Sequence, residues 1–544
     1  MDFRRLINIL TASVCLLSLS ACSLVTDDEV TGEELNIGEV YFNFAINVNL
    51  PHAAGTRADW WPRGGEHGNY NEAAFQRENE VTEVTIILYQ TPDNKGLNSS
   101  SDAAVLDFVR CYPVTRAGTA KQADGGNWEA WYTTGYQRLG DHRLRFSQTY
   151  HAIAVANLDL TTSLTEGTST LADLKDKLTN QLYLVGDATK NATECQQFVM
   201  ASAENTNTVN FASVTPTKNG NELYFDLDAQ GIEVERLAAR IDFWSLNSEY
   251  KEKNGSAVDY DTPGYVYTVY TPDGLTPTTD RFVITHITPF NLYNAQEYLF
   301  KHVVVDDKTT VERLAPEDGS YRAVIDPGIA GKGSTKPATI PVAGYVNPLS
   351  GISESTLSTN PYRHAVKDMH PTVSADNGVD GKSGGFMLSE SYYDVSDVKH
   401  TTDVAEDVIV GYAMENTMAL NAMLYYYATG VIIEGDYYEG DDVSKKTHRV
   451  YYGFLRHASE TIAPNGYDAL VASNFDSDAN INLFHNIHPN STESPMHYSV
   501  VRNNIYRIHV GKVYQRTSPT DPPSIKIYIR VKMWDEYYHV PIYI

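Results

Sequence analysis

The chain is short of cysteine, of positive charge and of long apolar runs. Its 544 residues include four cysteines, and 42 Lys and Arg stand against 69 Asp and Glu, which gives a net charge of −27. Because a phosphate-binding surface needs an excess of Lys and Arg, this balance argues against a nucleic-acid partner. No hydrophobic stretch after residue 22 is long enough to span a bilayer.

Tyrosine and threonine, by contrast, are common throughout. There are 37 Tyr against 17 Phe, and 42% of the residues are hydrophobic. Tyr and Thr fit pleated, half-exposed strands better than helices, and the apolar fraction is enough for sizeable cores. At roughly 150 residues per domain, the length fits about two to four domains. Composition therefore predicts an acidic, β-rich protein of a few domains.

The first residues carry an export pattern. A basic start precedes an apolar run, Leu6–Leu19, which is too short to span a bilayer and ends in small residues, as cleavable signal peptides do. Cys22 directly follows Leu-Ser-Ala, an arrangement that resembles the bacterial lipobox, in which the cysteine thiol is acylated. We predict a signal peptide at 1–21, lipidation at Cys22 and an acidic tether at 23–39. A plain signal peptide with a chance cysteine is the alternative.

Two cysteines remain in the predicted mature chain, Cys111 and Cys195. Two thiols of an exported chain can be oxidised to a disulfide, but the sequence does not establish that these two are close enough. Two separate buried thiols are an equally open alternative.

The dominant hydrophobic period is two, which is typical of strands with one buried face. The first such segment, 40–50, ends at Pro51. Its apolar positions are Val40, Phe42, Phe44, Ile46, Val48 and Leu50. The Gly-, Asn- and Arg-rich stretch 51–76 is predicted to be an exposed loop. A protease that cuts between Arg57 and Ala58 in this loop would separate the first strand from the rest of the chain.

One helix is predicted, over residues 170–182, where leucines recur at helical spacing behind a capping box. The leucines are Leu171, Leu174, Leu178 and Leu182, and the capping residues are Thr170 and Asp173. Many strands and this single clear helix predict antiparallel β-sandwiches.

The C-terminal residues alternate as strongly as the first strand. We predict strands at 525–531 and 538–544, joined by a loop at 532–537. The apolar positions are Ile525, Ile527, Ile529, Val531, Tyr538, Val540, Ile542 and Ile544. These are either ordinary strands of the fold, or one of them replaces a strand that a neighbouring molecule has lost. A sheet that lacks a strand exposes an apolar groove and unpaired backbone groups, and a strand with matching alternation repairs both.

No catalytic constellation stands out in the sequence. Ser383 lies in a Gly-Lys-Ser-Gly-Gly sequence similar to a serine-hydrolase elbow, but no predicted strand precedes it and no helix follows it. His485, His488 and His497 have neither helical nor zinc-framework spacing. The acidic cluster Glu434–Asp442 fits a solvated hairpin end better than a calcium site. We expect a protein that is not an enzyme, with no catalytic residues, metal or cofactor.

Short pieces spread along the chain carry a family resemblance. Besides Cys22 and the early strand, they are 150–157 (YHAIAVAN), 198–200 (FVM), 234–241 (VERLAARI), 415–417 (ENT), 429–433 (TGVII), 501–508 (VRNNIYRI) and 531–535 (VKMWD). In this order they resemble the fimbrillins of Bacteroidales, the major subunits of the type V pilus, and in particular the branch that builds short, or minor, fimbriae. The resemblance implies a mainly β protein of two tandem transthyretin-like antiparallel β-sandwich domains with few helices, here at 58–215 and 216–524.

The resemblance also implies an assembly route. A lipoprotein precursor would reach the outer membrane, and an Arg-specific protease would cut after Arg57 and remove the propeptide, 22–57. The donor segment of another subunit, within 525–544, would then fill the groove that the first strand leaves. Arg63 and Arg77 are further arginines at which such a protease can cut.

The implied partners are the other pilus subunits, namely copies of this chain together with anchor and tip proteins. Further partners are the Arg-specific protease, the lipid of the outer membrane before processing, and receptors on host or bacterial surfaces; no nucleic acid is expected. The long patterned C-terminus favours a stalk subunit of an extracellular fimbrium.

A monomeric surface lipoprotein of the outer membrane that binds glycans is the alternative. Trp60 and Trp61, with the many tyrosines, would then stack on sugar rings. Glycan binding by a strictly monomeric protein that is not processed at Arg57 would favour this alternative.

Overall fold

The computed structural model describes the greater part of the chain between residues 39 and 537. The described residues are 39–48, 71–74, 78–117, 130–140, 142–186, 195–202, 208–227, 231–245, 248–251, 260–293, 297–300, 302–305, 322–325, 345–369, 385–388, 391–393, 399–401, 405–416, 428–440, 442–455, 467–468, 470–471, 500, 502–516 and 524–537.

Strands dominate the described chain, which confirms the prediction of a mainly β protein with few helices. The strands of the first half are β1 Val40–Asn43, β2 Ala45–Val48, β3 Asn71–Ala74, β4 Glu83–Tyr89, β5 Leu106–Pro113, β6 Thr115–Arg116, β7 Ala130–Thr133, β8 Gln137–Arg138, β9 Thr149–Ala156, β10 Leu178–Thr179, β11 Tyr183–Val185, β12 Gln196–Phe198, β13 Met200–Ala201, β14 Thr208–Asn210, β15 Thr217–Asn219, β16 Glu222–Asp226 and β17 Ile232–Arg236.

The second half continues the series and carries two of the short helices. Its strands are β18 Ala239–Trp244, β19 Ser248–Lys251, β20 Gly264–Tyr270, β21 Pro277–Phe290, β22 Leu292–Tyr293, β23 Glu297–Tyr298, β24 His302–Val305, β25 Arg322–Ile325, β26 Tyr345–Val346, β27 His364–Ala365, β28 Gly385–Leu388, β29 Ser391–Tyr393, β30 Lys399–Thr401, β31 Ala405–Ala413, β32 Gly430–Tyr438, β33 Lys446–Phe454, β34 Tyr467–Asp468, β35 Leu470–Val471, β36 Asn504–Tyr514 and β37 Ser524–Tyr537. The α-helices are α1 Leu171–Lys175, α2 Glu354–Leu357 and α3 Val366–Met369.

Two sheets of the first half pack face to face. The larger sheet has the order β5-β4-β9-β13-β17-β2-β7-β6, with β14 beside β9, and the smaller one has the order β15-β16-β1-β8. The core between them takes Phe42 and Phe225 from the smaller sheet and Ile86 and Ala154 from the larger one. This arrangement is a β-sandwich, as predicted.

The larger sheet is buried on its other face as well. On that face, the alternate residues Ile87 and Ile153 belong to a smaller, separate apolar cluster, together with Leu171 of α1 and Phe300 from the second half. Both faces of the sheet are therefore buried at β4 and β9, and helix α1 packs on the second face.

The helix is shorter than the leucine spacing predicts. The capping box of Thr170 and Asp173 is present, but α1 ends at Lys175. Leu178 lies instead in β10, where it pairs with Tyr298 of β23. Strand pairing with the second half therefore replaces the predicted continuation of the helix.

The second half is organised around one sheet system with the path β28-β31-β18-β36-β20-β21-β32-β33-β35. β36 is parallel to β18 over residues 505–509 and parallel to β20 at 513–514, so it joins the strands on either side of it. Its core includes Phe243, Ile284 and Tyr506 and is the second core of the protein, the first being the one between the two sheets of the first half. The sheets of this protein thus contain parallel pairs beside the antiparallel ones.

The chain passes from the first core to the second between Ala238 and Ala239. β15, β16 and β17 still pair within the sheets of the first half, so those sheets extend well beyond the predicted boundary at residue 215. The residues of β15 are all exposed. An exposed edge strand has the same polar composition as a linker, so the sequence does not distinguish the two. Within the described residues, no helix is both long and apolar enough to cross a membrane.

Candidate functional site

The predicted first strand consists of two short strands in different sheets. β1 and β2 are separated by Phe44, where the chain crosses from one sheet to the other. β1 lies between β16, to which it is parallel, and β8, to which it is antiparallel. β2 lies between β17 and β7 with the same two orientations. The segment is therefore an interior strand of both sheets.

Hydrogen bonds hold the crossing point. The Phe44 N–H donates to Thr134 Oγ1 at 2.9 Å, and the Thr134 N–H donates to the Phe44 carbonyl at 2.9 Å. The Leu227 N–H donates to the Asn43 carbonyl at 3.0 Å, and Thr133 Oγ1 donates to Asn43 Oδ1 at 2.5 Å. These bonds satisfy polar groups that would otherwise be buried unpaired where the chain changes sheet.

The apolar positions predicted for this strand are largely buried. Phe42, Phe44, Ile46 and Val48 are each at most 1% exposed. Val40 is half-buried. The ring of Phe42 lies edge to face with those of Phe108 and Tyr112, at centroid distances of 5.6 and 5.7 Å. The polar residue Asn43 is also buried, because an interior strand at a sheet crossing has no solvent-facing side there.

Removal of β1 and β2 would open a gap in each sheet, between β16 and β8 and between β17 and β7. The flanking strands would present unpaired N–H and C=O groups beside the apolar side chains that now pack on Phe42. Such an edge is a template for an added strand. Chemically, the site can bind an extended segment through backbone hydrogen bonds and alternate apolar side chains.

The C-terminal strand is longer than predicted. β37 runs without a break through 532–537, which the sequence predicted to be a loop. It pairs antiparallel with β36 from Ser524, opposite Tyr514, to Met533, opposite Asn504. Of the predicted donor positions, Ile525 and Ile527 are fully buried in the second core, and Ile529 and Val531 lie in the same strand. Residues 532–533 are paired with β36, and Trp534 and Tyr537 lie opposite residues of β3, so strand pairing covers the segment that was predicted to be a loop.

A short strand follows the predicted cleavage site. β3 lies within the stretch 51–76 that was predicted to be a loop, and it runs parallel to the end of β37. Asn71 lies opposite Met533, and Ala74 lies opposite Tyr537. The chain between the predicted cut and the first core thus contacts the C-terminal strand.

A buried ionic network joins the two halves. Arg240 of β18 makes a bidentate pair with Asp242 at 2.8–3.1 Å and a 3.0 Å pair with Glu78, and none of the three side chains is exposed. The Tyr412 hydroxyl donates to the second oxygen of Glu78. Burial raises the pKa of the Asp242 carboxyl, against the opposing effect of Arg240. The network therefore connects the segment before β4 with β18 and β31.

Further arginines extend this network. Arg236 donates to the Glu78 carbonyl at 3.1 Å and to Asn503 Oδ1 at 3.1 Å. Arg502 pairs with Glu415 at 2.7 Å, and both side chains are 1% exposed. Sequence reasoning missed the role of these residues. A signal was present, because charged residues stand inside strongly apolar strand segments such as 234–241.

The acidic cluster at 434–442 belongs to a hairpin, but its first members are not solvated. Glu434 and Asp436 lie in β32 and are buried. Arg363 makes a bidentate pair with Glu434 at 2.7 and 3.0 Å. Hydrogen bonds to Asp436 and Glu434 raise the pKa of His448 to about 9. No group of His, Cys, Asp and Glu side chains in the described part of the chain is arranged to hold a metal ion.

A cavity of about 390 Å³ lies between the two halves. It is lined by Asn180, Gln181, Leu182, Tyr183, Leu292, Tyr293, Val346, Tyr412 and Met414. Aromatic rings and amides, without a Lys, Arg, Asp or Glu in the lining, suit a neutral ligand.

Several predicted residues lie outside the described part of the chain. They are Cys22, Leu50, Arg57, Ala58, Trp60, Trp61, Arg63, Arg77, Ser383, His485, His488, His497, Tyr538, Val540, Ile542 and Ile544. Cys111 is half-buried and Cys195 is buried, and the two do not form a disulfide.

Comparisons with known proteins give structural neighbours only. No family model and no curated protein matches the chain. A candidate cell adhesion protein from Parabacteroides distasonis matches 92% of this chain and 98% of its own at 12% identity and a TM-score of 0.36. The tip fimbrial protein Mfa3 from Porphyromonas gingivalis matches 91% of this chain and all of its own at 10% identity and a TM-score of 0.31.

The fimbrilin FimA from Porphyromonas gingivalis W83 matches 92% of this chain and 99% of its own at 11% identity and a TM-score of 0.32. These neighbours are fimbrial and cell adhesion proteins, the class that the sequence resembles.

Proposed function

We propose that this chain is a structural stalk subunit of a cell-surface fimbria and that it polymerises by protease-triggered strand exchange. The observation that carries the proposal is the interior position of β1 and β2 in both sheets of the first half. A chain end inserted in this way can be removed by one cut, and its removal leaves a groove shaped for another strand.

Processing would follow from the same arrangement. Lipidation at Cys22 holds the precursor at the outer membrane, and an Arg-specific protease cuts between Arg57 and Ala58. The loss of 22–57 takes β1 and β2 away, since no part of either strand lies after the cut. The processed subunit then joins copies of itself, with anchor and tip proteins, in an extracellular fimbrium that contacts host or bacterial receptors.

The incoming strand would come from 525–544 of a second copy. Ile525 and Ile527 are buried in the core of their own subunit, so we propose that the donated part of this segment is 538–544. Their alternation at Tyr538, Val540, Ile542 and Ile544 matches that of Phe42, Phe44, Ile46 and Val48.

Polymerisation of the purified protein tests the exchange. A chain that begins at Ala58 is expected to form ladders that resist sodium dodecyl sulfate. Truncation after Tyr537 should abolish them while leaving β37 and the fold in place, as an unchanged melting temperature would show. The truncated chain can accept a strand but not donate one, so its addition should shorten the ladders of the intact chain. Ladders formed by the truncated chain alone would refute donation by the C-terminus.

A second experiment tests the trigger. The precursor with Arg57→Ala should stay unprocessed and monomeric in a cell that carries the protease. Its matched control is Arg116→Ala, since Arg116 is exposed at the end of β6 and should not affect processing. Normal assembly of the Arg57→Ala protein would show that another bond is cut.

The cavity between the two halves favours a second candidate, a monomeric outer-membrane lipoprotein that binds glycans. Its lining of Tyr183, Tyr293 and Tyr412 beside Asn180 and Gln181 offers stacking and hydrogen bonding to a neutral sugar. Saturation-transfer NMR with lactose and N-acetylglucosamine, on the native chain and on Tyr183→Ala, tests it. Binding that Tyr183→Ala abolishes, by a chain that forms no ladders, would favour this candidate over the fimbrial one.

A further inference from the structure

Glu78 is held by contacts with distant parts of the chain and directly follows a candidate cleavage site. Its carboxylate is fully buried and accepts hydrogen bonds from the Arg240 guanidinium and the Tyr412 hydroxyl. These two residues are 162 and 334 residues away along the chain. Its carbonyl accepts a bond from Arg236, 158 residues away. In sequence, Glu78 directly follows Arg77, so it would occupy the first position after the cut if a protease acted there.

The residues that follow Glu78 are held as firmly. The Tyr132 hydroxyl donates to the Asn79 carbonyl at 2.6 Å, and Asn79 is 2% exposed. Asn157 Nδ2 donates to the Glu80 carbonyl at 2.8 Å, and Asn157 Oδ1 accepts the Thr82 N–H at 3.0 Å. Each of these contacts has a partner from another strand or loop, so 78–82 cannot be displaced without disturbing the first core.

We infer that Glu78 closes the bond between Arg77 and Glu78 to processing and so sets the limit of the removable propeptide. The inference rests on the proposed function and deepens it, because it excludes one of the three candidate arginines. The processed subunit would begin upstream of Glu78 and would keep β3, with its pairing to the C-terminal strand.

The physical reason lies in how proteases bind a chain. A protease needs several residues on both sides of the scissile bond in extended form, so a folded segment is cut only through its open state. Opening at Arg77 would expose Glu78 and leave Arg240 and Asp242 buried with an incomplete set of partners. A cut after Arg57 or Arg63 does not require residues 78–82 to leave their contacts.

In vitro digestion tests the inference without reference to cells. The full chain is digested with a purified Arg-specific endoproteinase, and the new N-termini are followed over time by mass spectrometry. In the native protein, products that begin at Ala58 or Gly64 should accumulate, and no product that begins at Glu78 should appear on the same timescale. In Glu78→Gln, which keeps the shape but removes the charge, the product that begins at residue 78 should form on the order of tenfold faster or more.

Two further variants sharpen the result. Tyr412→Phe removes one contact to Glu78 and should speed the same cut to a smaller extent, so it keeps the test valid if Glu78→Gln does not fold. Glu80→Gln is the matched control, because it changes a half-buried carboxylate two residues away and should leave the cut after Arg77 slow.

Two outcomes would overturn the inference. One is a native protein cut after Arg77 as fast as after Arg57, and the other is a folded Glu78→Gln protein whose digestion is unchanged. Failure of the proposed function looks different: protein from cells would lack an N-terminus at Ala58 while the purified chain still resisted cleavage after Arg77.

Discussion

Phe42 and Phe44 lie edge to face, with ring centroids 4.7 Å apart and an interplanar angle of 63°, although the chain changes sheet between them. Both rings point into the same core, where each is at most 1% exposed. The sheet crossing therefore keeps the apolar face of the segment continuous across two sheets. A strand that replaces it has to present its apolar side chains in the same way.

Substitution of Phe42 should affect the precursor and not the processed subunit. Phe42→Ala removes a buried ring that contacts Phe108 and Tyr112, which typically costs about 3–5 kcal/mol. Once the first strand is cut away, the same substitution is absent from the protein. Urea unfolding of both forms measures the difference. Leu275→Ala, at a residue 80% exposed, is the control and should change stability by about 0.5 kcal/mol or less.

The ionic network between the halves should be sensitive to the loss of one partner. Arg240→Met leaves Glu78 and Asp242 buried without their cation, and the expected loss is about 3–5 kcal/mol. Lys445→Met removes an exposed pair with Asp442 and should cost about 1 kcal/mol or less. Chemical denaturation compares the two variants with the native chain. Equal effects would contradict a structural role for the buried network.

His448 should stabilise the fold in a pH-dependent way. Its hydrogen bonds to Asp436 and Glu434 raise its pKa from 6.5 to about 9. A raised pKa in the folded state means that the stabilisation is complete below pH 6.5 and is lost as the pH rises through 9. The melting temperature of the native chain should therefore exceed that of His448→Gln at pH 6, and the difference should vanish by about pH 10. A difference that grows with pH would contradict this assignment.

Gly264 should not tolerate a methyl group. A Cβ added there would clash with the Ile284 carbonyl oxygen on the neighbouring strand β21, so the hydrogen-bonded pairing of the two strands would have to shift. Gly264→Ala is expected to cost about 1–3 kcal/mol, as overpacking does. Gly411→Ala is the matched control, because the nearest atom to its Cβ would be Pro289 Cγ at 3.7 Å, an ordinary contact. Thermal unfolding of the two variants checks the prediction.

Local patterns in the sequence predicted much of the fold. Alternation at 40–50 correctly placed Phe42, Phe44, Ile46 and Val48 in a core, and the capping box at Thr170 marks the start of α1. Each of these features depends on residues only a few positions apart, which is why the sequence reveals them. The same logic failed at Leu178, because a two-residue pairing with Tyr298, far along the chain, replaced the local preference for helix.

What the sequence by itself determined is the β character of the chain, the apolar face of its first strand and the acidic balance of its charge. Only the tertiary structure decided that the first strand crosses between two sheets, that β37 continues through 532–537, and that Glu78 meets Arg240 and Tyr412. The pairing of distant strands and the burial of charge depend on which segments meet in space. The periodicity of residues within one segment does not indicate which distant segment it will contact.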